Sequence, residues 1–169
     1  IEKIVRSMKA LARQGQDDEP LQIFVLRELV MDAVELCEQR FRNHGIRLGT
    51  PDVPESLSVE CHNHEIVQVI VNLLNNAFDA VETLKEKWVE LGVSTHDGMV
   101  DISVTDSGRG IPLEIQSKLF QPFFSTKRVQ YGTGLGLSIS AGIAERHGGR
   151  ERQRLHRIAE RFGHVLALP

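Results

Sequence analysis

Four stretches of this chain repeat their apolar residues at the spacing of an α-helix, with polar residues on the opposite face. The first, "IEKIVRSMKALARQ", sets Ile1, Ile4, Val5, Met8 and Leu11 on one stripe with basic residues opposite, and one stripe this short forms no core of its own. "GQDDEP" follows with a glycine, an acidic run and a proline, a linker signature that sets residues 1–16 apart from 17–169. After the extended "LQIFV" a second helical pattern runs from about Leu26 to Phe41 and ends at "NHG". The third and longest, "EIVQVIVNLLNNAFDAVETL", puts Ile66, Val69, Ile70, Leu73, Ala77, Ala80, Val81 and Leu84 on its buried face. The fourth begins in "YGTGLGLSIS" and continues through "AGIAERH". Between them, "IRL" and "LSVEC" read as short strands around the turn-rich "GTPDVPES". "MVDISVTD" alternates as a strand does, with Val100, Ile102 and Val104 facing one way. Helices and strands mix without a regular alternation and without an internal repeat, which predicts an α+β layered domain with a mixed sheet.

The longest helix carries polar residues where an apolar run does not need them. Asn72 and Asn76 stack one turn apart, and Asp79 extends the same stripe. Buried amides bonded to neighbouring backbone would explain them, and so would a polar ligand facing the helix.

Composition narrows the field. With 41% hydrophobic and 25% charged residues the 169-residue chain is long enough for one full domain, and a formal net charge of -3 supplies no global field for nucleic acid, so any anion site is local. Cys37 and Cys61 lack zinc-like spacing and suit a reducing compartment without a structural disulfide. No apolar run approaches the roughly 20 residues that cross a bilayer. The chain starts at Ile1, which is read as an excised piece of a longer protein whose membrane attachment stays open.

Two glycine clusters bear the chemistry. "TDSGRGIP" opens where the alternating strand ends, with Asp106 at its tip and glycines at 108 and 110. A tight turn uses the same residues, but a carboxylate at a strand end also accepts a hydrogen bond from an exocyclic amine such as that of adenine. "YGTGLGLSIS" leads Gly132, Gly134 and Gly136 into a helix, and backbone N–H groups at such a start form a phosphate site. It has neither the Gly-Lys-Ser/Thr ending of a P-loop nor the strand–loop–helix setting of a dinucleotide fingerprint. Between them "LFQPFFSTK" holds three phenylalanines, then Lys127 and Arg128. It is either a packed loop with a solvated lysine or one that reaches a phosphate with Lys127.

In this order the segments resemble the ATP-binding catalytic domain of sensor histidine kinases, which share the Bergerat nucleotide fold (the GHKL superfamily) with gyrase, MutL and the ninety-kilodalton heat-shock chaperones. "QVIVNLLNNAFDA" resembles the N box, "DSGRGIP" the G1 box, "FQPFFSTK" the F box and "GTGLGLSIS" the G2 box, together covering about residues 21–149. The resemblance implies a two-layer α/β sandwich and a protein-histidine kinase, an ATP-dependent phosphotransferase of two-component signalling. Asn76 would hold Mg²⁺, and Asn72 would lie beside the phosphates. Asp106 would bind the adenine amine in a pocket shaped by Gly108 and Gly110. Thr133, Gly134, Leu135 and Gly136 would meet the phosphates, and Lys127 would sit in a short lid over roughly 121–133. ATPases of this fold carry a glutamate at the position of Asn72 as general base, and an amide takes no proton from water. The implied partners are a histidine-bearing dimerisation domain, a response-regulator receiver and, in the parent, a second copy; the domain would be cytoplasmic. The alternative is a non-catalytic nucleotide-sensing or interaction module of the same fold.

The chain departs from that family at both ends. Residues 1–14 resemble only the end of the hairpin's second helix, and none of the seven histidines has the setting of the phosphoacceptor, so the chain should bind ATP without phosphorylating itself. After "HGG" the family has two strands, whereas Leu155, Ile158, Phe162 and Val165 fall on a helical stripe among arginines before the closing "VLALP". Residues 150–164 are therefore read as an amphipathic basic helix, as a divergent sheet edge, or as a shifted reading frame that preserves length and ending, the last being preferred.

Overall fold

The computed structural model describes residues 20–125, 134–148, 150–156 and 161–168. The stripe and linker of residues 1–16 lie outside them. The chain opens with β1 (Gln22–Val25), which passes directly into helix α1 (Leu26–Asn43). Leu26, Leu29, Val30, Ala33, Val34, Cys37 and Phe41 are buried along α1, the i, i+3, i+4 pattern of a helix lying on a core. Strands β2 (Arg47–Gly49) and β3 (Ser58–Cys61) bracket the turn-rich segment. Helix α2 (Asn63–Val81) carries the asparagines, and β4 (Trp88–His96) and β5 (Met99–Asp106) follow as a hairpin. After the single-turn α3 (Leu113–Gln116) come α4 (Gly136–Arg146) and the strands β6 (Arg150–His156) and β7 (Arg161–Leu168).

The architecture is the predicted α+β type. A five-stranded sheet has the order β2-β4-β5-β7-β6, and β1 and β3 form a separate antiparallel pair. The larger sheet is mixed because β2 runs parallel to β4 while the other pairs are antiparallel. Val100, Ile102 and Val104 of β5 are buried as the alternation requires, and they join Val89 and Leu91 of β4 in one core with the helices. Helix α2 is the hub: it packs between α1 and α4 and lies over β5. Its buried face includes Ile66, Val69, Ile70, Leu73, Ala77 and Val81, as predicted. Ala80, expected on that stripe, is instead exposed, and Leu84 falls beyond the helix end.

The chain's end corrects the reading of a basic helix. Residues 150–156 and 161–168 are antiparallel strands, with β7 paired to β5 from Val100↔Leu168 to Asp106↔Phe162 and β6 paired to β7. A sheet edge, and not a helix, is the arrangement formed, which leaves the preferred reading of a shifted frame untested. The physical reason is that β5 runs through the middle of the sheet and both of its edges need ladder partners. A helix there would leave one row of buried N–H and C=O groups unpaired, an expense that the helical periodicity of four side chains does not offset.

Both cysteines are buried and unpaired by disulfide, and burial pushes the Cys61 thiol up to about 11, so it is an inert thiol. Among the described residues no helix is long and apolar enough to cross a membrane.

Candidate functional site

Helix α2 presents its polar residues to two different neighbours. Asn72 is half-buried and its side-chain amide donates to the Gly136 carbonyl at 3.3 Å and to Ser140 Oγ at 3.2 Å, both on α4. Gly136 is the first residue of α4, and no side chain caps that helix start among the described residues. The amide of Asn72 therefore lies against a helix N-terminus, where backbone N–H groups and the helix dipole favour an anion. Asn76 follows one turn later on the same face, half-buried. Asp79 departs from the expected stripe: it receives Arg40 Nη2 from α1 at 3.3 Å, while Arg40 Nη1 donates to Asn75 Oδ1 at 2.7 Å. The Arg40 guanidinium also sits 3.7 Å from the centre of the Phe78 ring, so this end of the stripe is scaffold against α1.

The first glycine cluster closes on the C-terminal end of α2. Asp106 ends β5 with 8% of its surface exposed and accepts the Gly108 N–H at 2.7 Å. Burial raises its pKa, and the Gly108 N–H counters by favouring the carboxylate. A Cβ at Gly108 would come within 2.5 Å of Asp106 Oδ1 and 3.3 Å of the Ala80 methyl, so only glycine lets the turn fold over the carboxylate. Exposed Ala80 thus borders the Asp106 site, which accounts for its departure from the buried stripe. The turn is pinned at its base by Ser107, whose N–H donates to the Trp88 carbonyl at 3.0 Å and whose hydroxyl accepts the Trp88 N–H at 3.1 Å. Gly110 follows with φ 81°.

The second cluster is locked by contact rather than by capping. Gly134 has φ 66°, and a Cβ there would meet the Phe123 carbonyl carbon at 2.5 Å and its oxygen at 2.7 Å. The start of α4 is therefore pressed against the backbone of the phenylalanine segment, and Phe123 itself takes φ 66° with its side chain exposed. Leu135 is fully buried. Lys127 and Thr133, the remaining expected contacts, lie outside the described residues.

The structure thus brings Asn72 to Gly136, and Asp106 to Gly108 beside Ala80. Residues 72 and 80 are about 12 Å apart along α2 at 1.5 Å per residue, so the Asn72 contact with α4 and the Asp106 turn are separate places along the helix. The far side of the α2–α4 seam is held by Glu65, which pairs with Arg146, and by His147. His147 is 3% exposed; its Nε2 accepts the His62 N–H at 3.0 Å and its Nδ1–H donates to the Ile143 carbonyl at 2.8 Å, a structural role. Sequence reasoning missed Ser140, although a serine one turn after Gly136 on the buried face of an apolar helix is a visible signal.

Residues 61–161 match the family described as histidine kinase-, DNA gyrase B-, and HSP90-like ATPase. Among curated relatives, the sensor protein FixL of Bradyrhizobium diazoefficiens is 32% identical over 149 residues, covering 88% of this chain and 29% of that protein. Sporulation kinase A of Bacillus subtilis is 29% identical over 150 residues, with 88% and 24% covered. The chain spans less than a third of the length of either relative. Among solved structures, the nucleotide-free catalytic domain of histidine kinase ThkA is 34% identical with a TM-score of 0.78, covering 89% of this chain and 96% of that one. A structure of ThkA in complex with response regulator protein TrrA is 27% identical with a TM-score of 0.79, covering 99% of this chain and 47% of that one.

Proposed function

The chain belongs to the histidine kinase-, DNA gyrase B-, and HSP90-like ATPases, as a catalytic ATP-binding domain of the two-component sensor histidine kinase type, and we propose that it transfers the γ-phosphoryl group of ATP to a histidine on a dimerisation hairpin of its parent protein. The observation that carries this reading is the group at position 72. Activating water requires a base, and Asn72 is an amide whose N–H donors are already given to Gly136 and Ser140. Hydrolysis is therefore slow and the γ-phosphoryl group waits for another acceptor.

What remains is positioning and charge neutralisation, which is most of what phosphoryl transfer asks of a protein. Asp106 accepts the adenine amine, with Gly108 and Gly110 shaping the turn around it. Gly134, Leu135 and Gly136 bring the α4 start to the phosphates, with Lys127 and Thr133 of the lid as further contacts. The donor set also fits Mg²⁺, a hard cation that keeps several waters and takes few protein oxygens. Asn76 offers an amide oxygen one turn from Asn72, and among the described residues no cluster of His, Cys, Asp and Glu forms a rival metal site. Asn76 would hold the ion, which when bound neutralises phosphate charge.

The phosphoryl group then passes to an aspartate of a response-regulator receiver, consistent with the complex of ThkA with TrrA, and the parent acts as a homodimer with this domain on its cytoplasmic side. The test is incubation of the chain with γ-labelled ATP, Mg²⁺ and a histidine-bearing hairpin domain. Label on the hairpin, with little phosphate released when the hairpin is left out, is the expected result. Steady phosphate release without an acceptor would instead mark a hydrolase.

A further inference from the structure

Ser140 is fully buried on α4, among Ile139, Ile143 and Ala144. A hydroxyl at such a position needs a partner, and among the described residues it has the side chain of Asn72. Asn72 spans two acceptors one helical turn apart, the Gly136 carbonyl and Ser140 Oγ. A carbonyl oxygen only accepts, so the end of the amide that faces α4 is the NH₂ group. That settles the orientation of the whole side chain: Nδ2 is held by the two acceptors, and Oδ1 lies beside the start of α4, 3.9 Å from where a Cβ at Gly136 would stand. The backbone beside it is close as well, since a Cβ at Gly136 would stand 3.8 Å from Asn72 Cγ, so the amide packs flat against the first turn of α4.

We propose that Ser140 is a positioning residue for the phosphate end of the site. By holding Nδ2 it fixes Asn72 Oδ1 as the acceptor for a water that donates its other hydrogen to the terminal phosphate, and it ties α2 to the start of α4. A rotated amide would present donors to the site instead. This rests on the reading of the α4 start as the phosphate site, and it predicts an effect confined to the terminal phosphate. Adenine is read at Asp106, well along α2, and has no contact with this clamp.

The test is calorimetric titration of the full chain with a non-hydrolysable ATP analogue and, separately, with ADP, both with Mg²⁺, for the native chain, Ser140→Ala, Asn72→Ala and the double variant. Ser140→Ala lowers affinity for the ATP analogue about fivefold, the worth of one hydrogen bond, and leaves ADP within about twofold. On the Asn72→Ala background the same change does nothing further, because the group through which Ser140 acts is gone. A purely structural serine would weaken both nucleotides alike, with losses that add, and either result overturns the proposal. So does a Ser140→Ala variant with native affinities. Should Ser140→Ala not fold, Ser140→Cys, close in size and a poor acceptor, carries the same comparison. Absence of ATP-analogue binding by the native chain, or binding indifferent to Asp106→Asn, would instead overturn the nucleotide site itself.

Discussion

The two ends of the polar stripe on α2 are made of the same kinds of residue and do different work. At one end Asn72 spends its donors on the Gly136 carbonyl and buried Ser140, next to a helix start that no side chain caps among the described residues. At the other, Asn75 and Asp79 are taken by Arg40, whose side chain is 46% exposed, over the Phe78 ring. The first arrangement fixes an amide beside an anion-favouring helix end; the second bolts two helices together. A polar residue on an apolar helix is thus identified by what it faces, and periodicity reports only that it is there.

The comparison breaks most visibly at position 72. Asn72→Asp replaces two donors with a carboxylate aimed at the Gly136 carbonyl, so phosphoryl transfer to a supplied hairpin domain falls by about 100-fold or more and stability drops by about 2 kcal/mol, as for an unsatisfied buried acceptor. Transfer assays beside urea denaturation measure both. If the variant transfers normally, Asn72 belongs with the scaffold.

A smaller effect is expected from pH at the Asp106 end, where the proposal places the base. Burial raises the Asp106 pKa, so in the folded chain the group takes up its proton at a higher pH than an exposed aspartate does. The cost of burying its charge is present above that raised value and is relieved as pH falls through it, so this group adds stability on acidification. Adenine binding runs the opposite way, because the carboxylate is the stronger acceptor for the amine. ATP-analogue affinity should fall by roughly tenfold through the same window, and in Asp106→Asn it should stay flat. A native chain with a flat profile would remove Asp106 from the base site.

The smallest effect on nucleotide belongs to the scaffold end. Arg40→Ala loses a part-exposed ion pair and a cation–π contact, about 1 kcal/mol of stability by thermal or urea unfolding, while nucleotide affinity stays within about twofold. A larger loss of affinity would move the boundary of the site along α2 to include Asp79.

Much of this was legible in the sequence for a physical reason. Helical spacing located α1, α2 and α4, strict alternation located β5, and Asp106 ends a strand and Gly136 starts a helix as the sequence indicated. Long-range partners were not legible. Arg40 is 39 residues from Asp79, and nothing local indicates that it draws Asp79 away from the asparagines. Ser140 acquires its role only when α4 is laid against α2. Strand β4 is hard to read from sequence, although Val89 and Leu91 alternate in it, because the long helical pattern runs up to Leu84 and the turn after it carries no strong signal. At the end of the chain, a helical stripe gave way to strands because the open edge of β5 is worth more than side-chain periodicity.

Under the proposed function, α2 separates a base-reading end at Asp106 from a phosphate-reading end at Asn72 and Asn76. Titration of the chain with an ATP analogue, with and without Mg²⁺, beside Asp106→Asn and Asn76→Ala, tests it most directly. Binding should weaken for Asp106→Asn at either metal condition and lose its Mg²⁺ dependence for Asn76→Ala. A folded chain that binds no nucleotide, or one whose binding neither change affects, would contradict it.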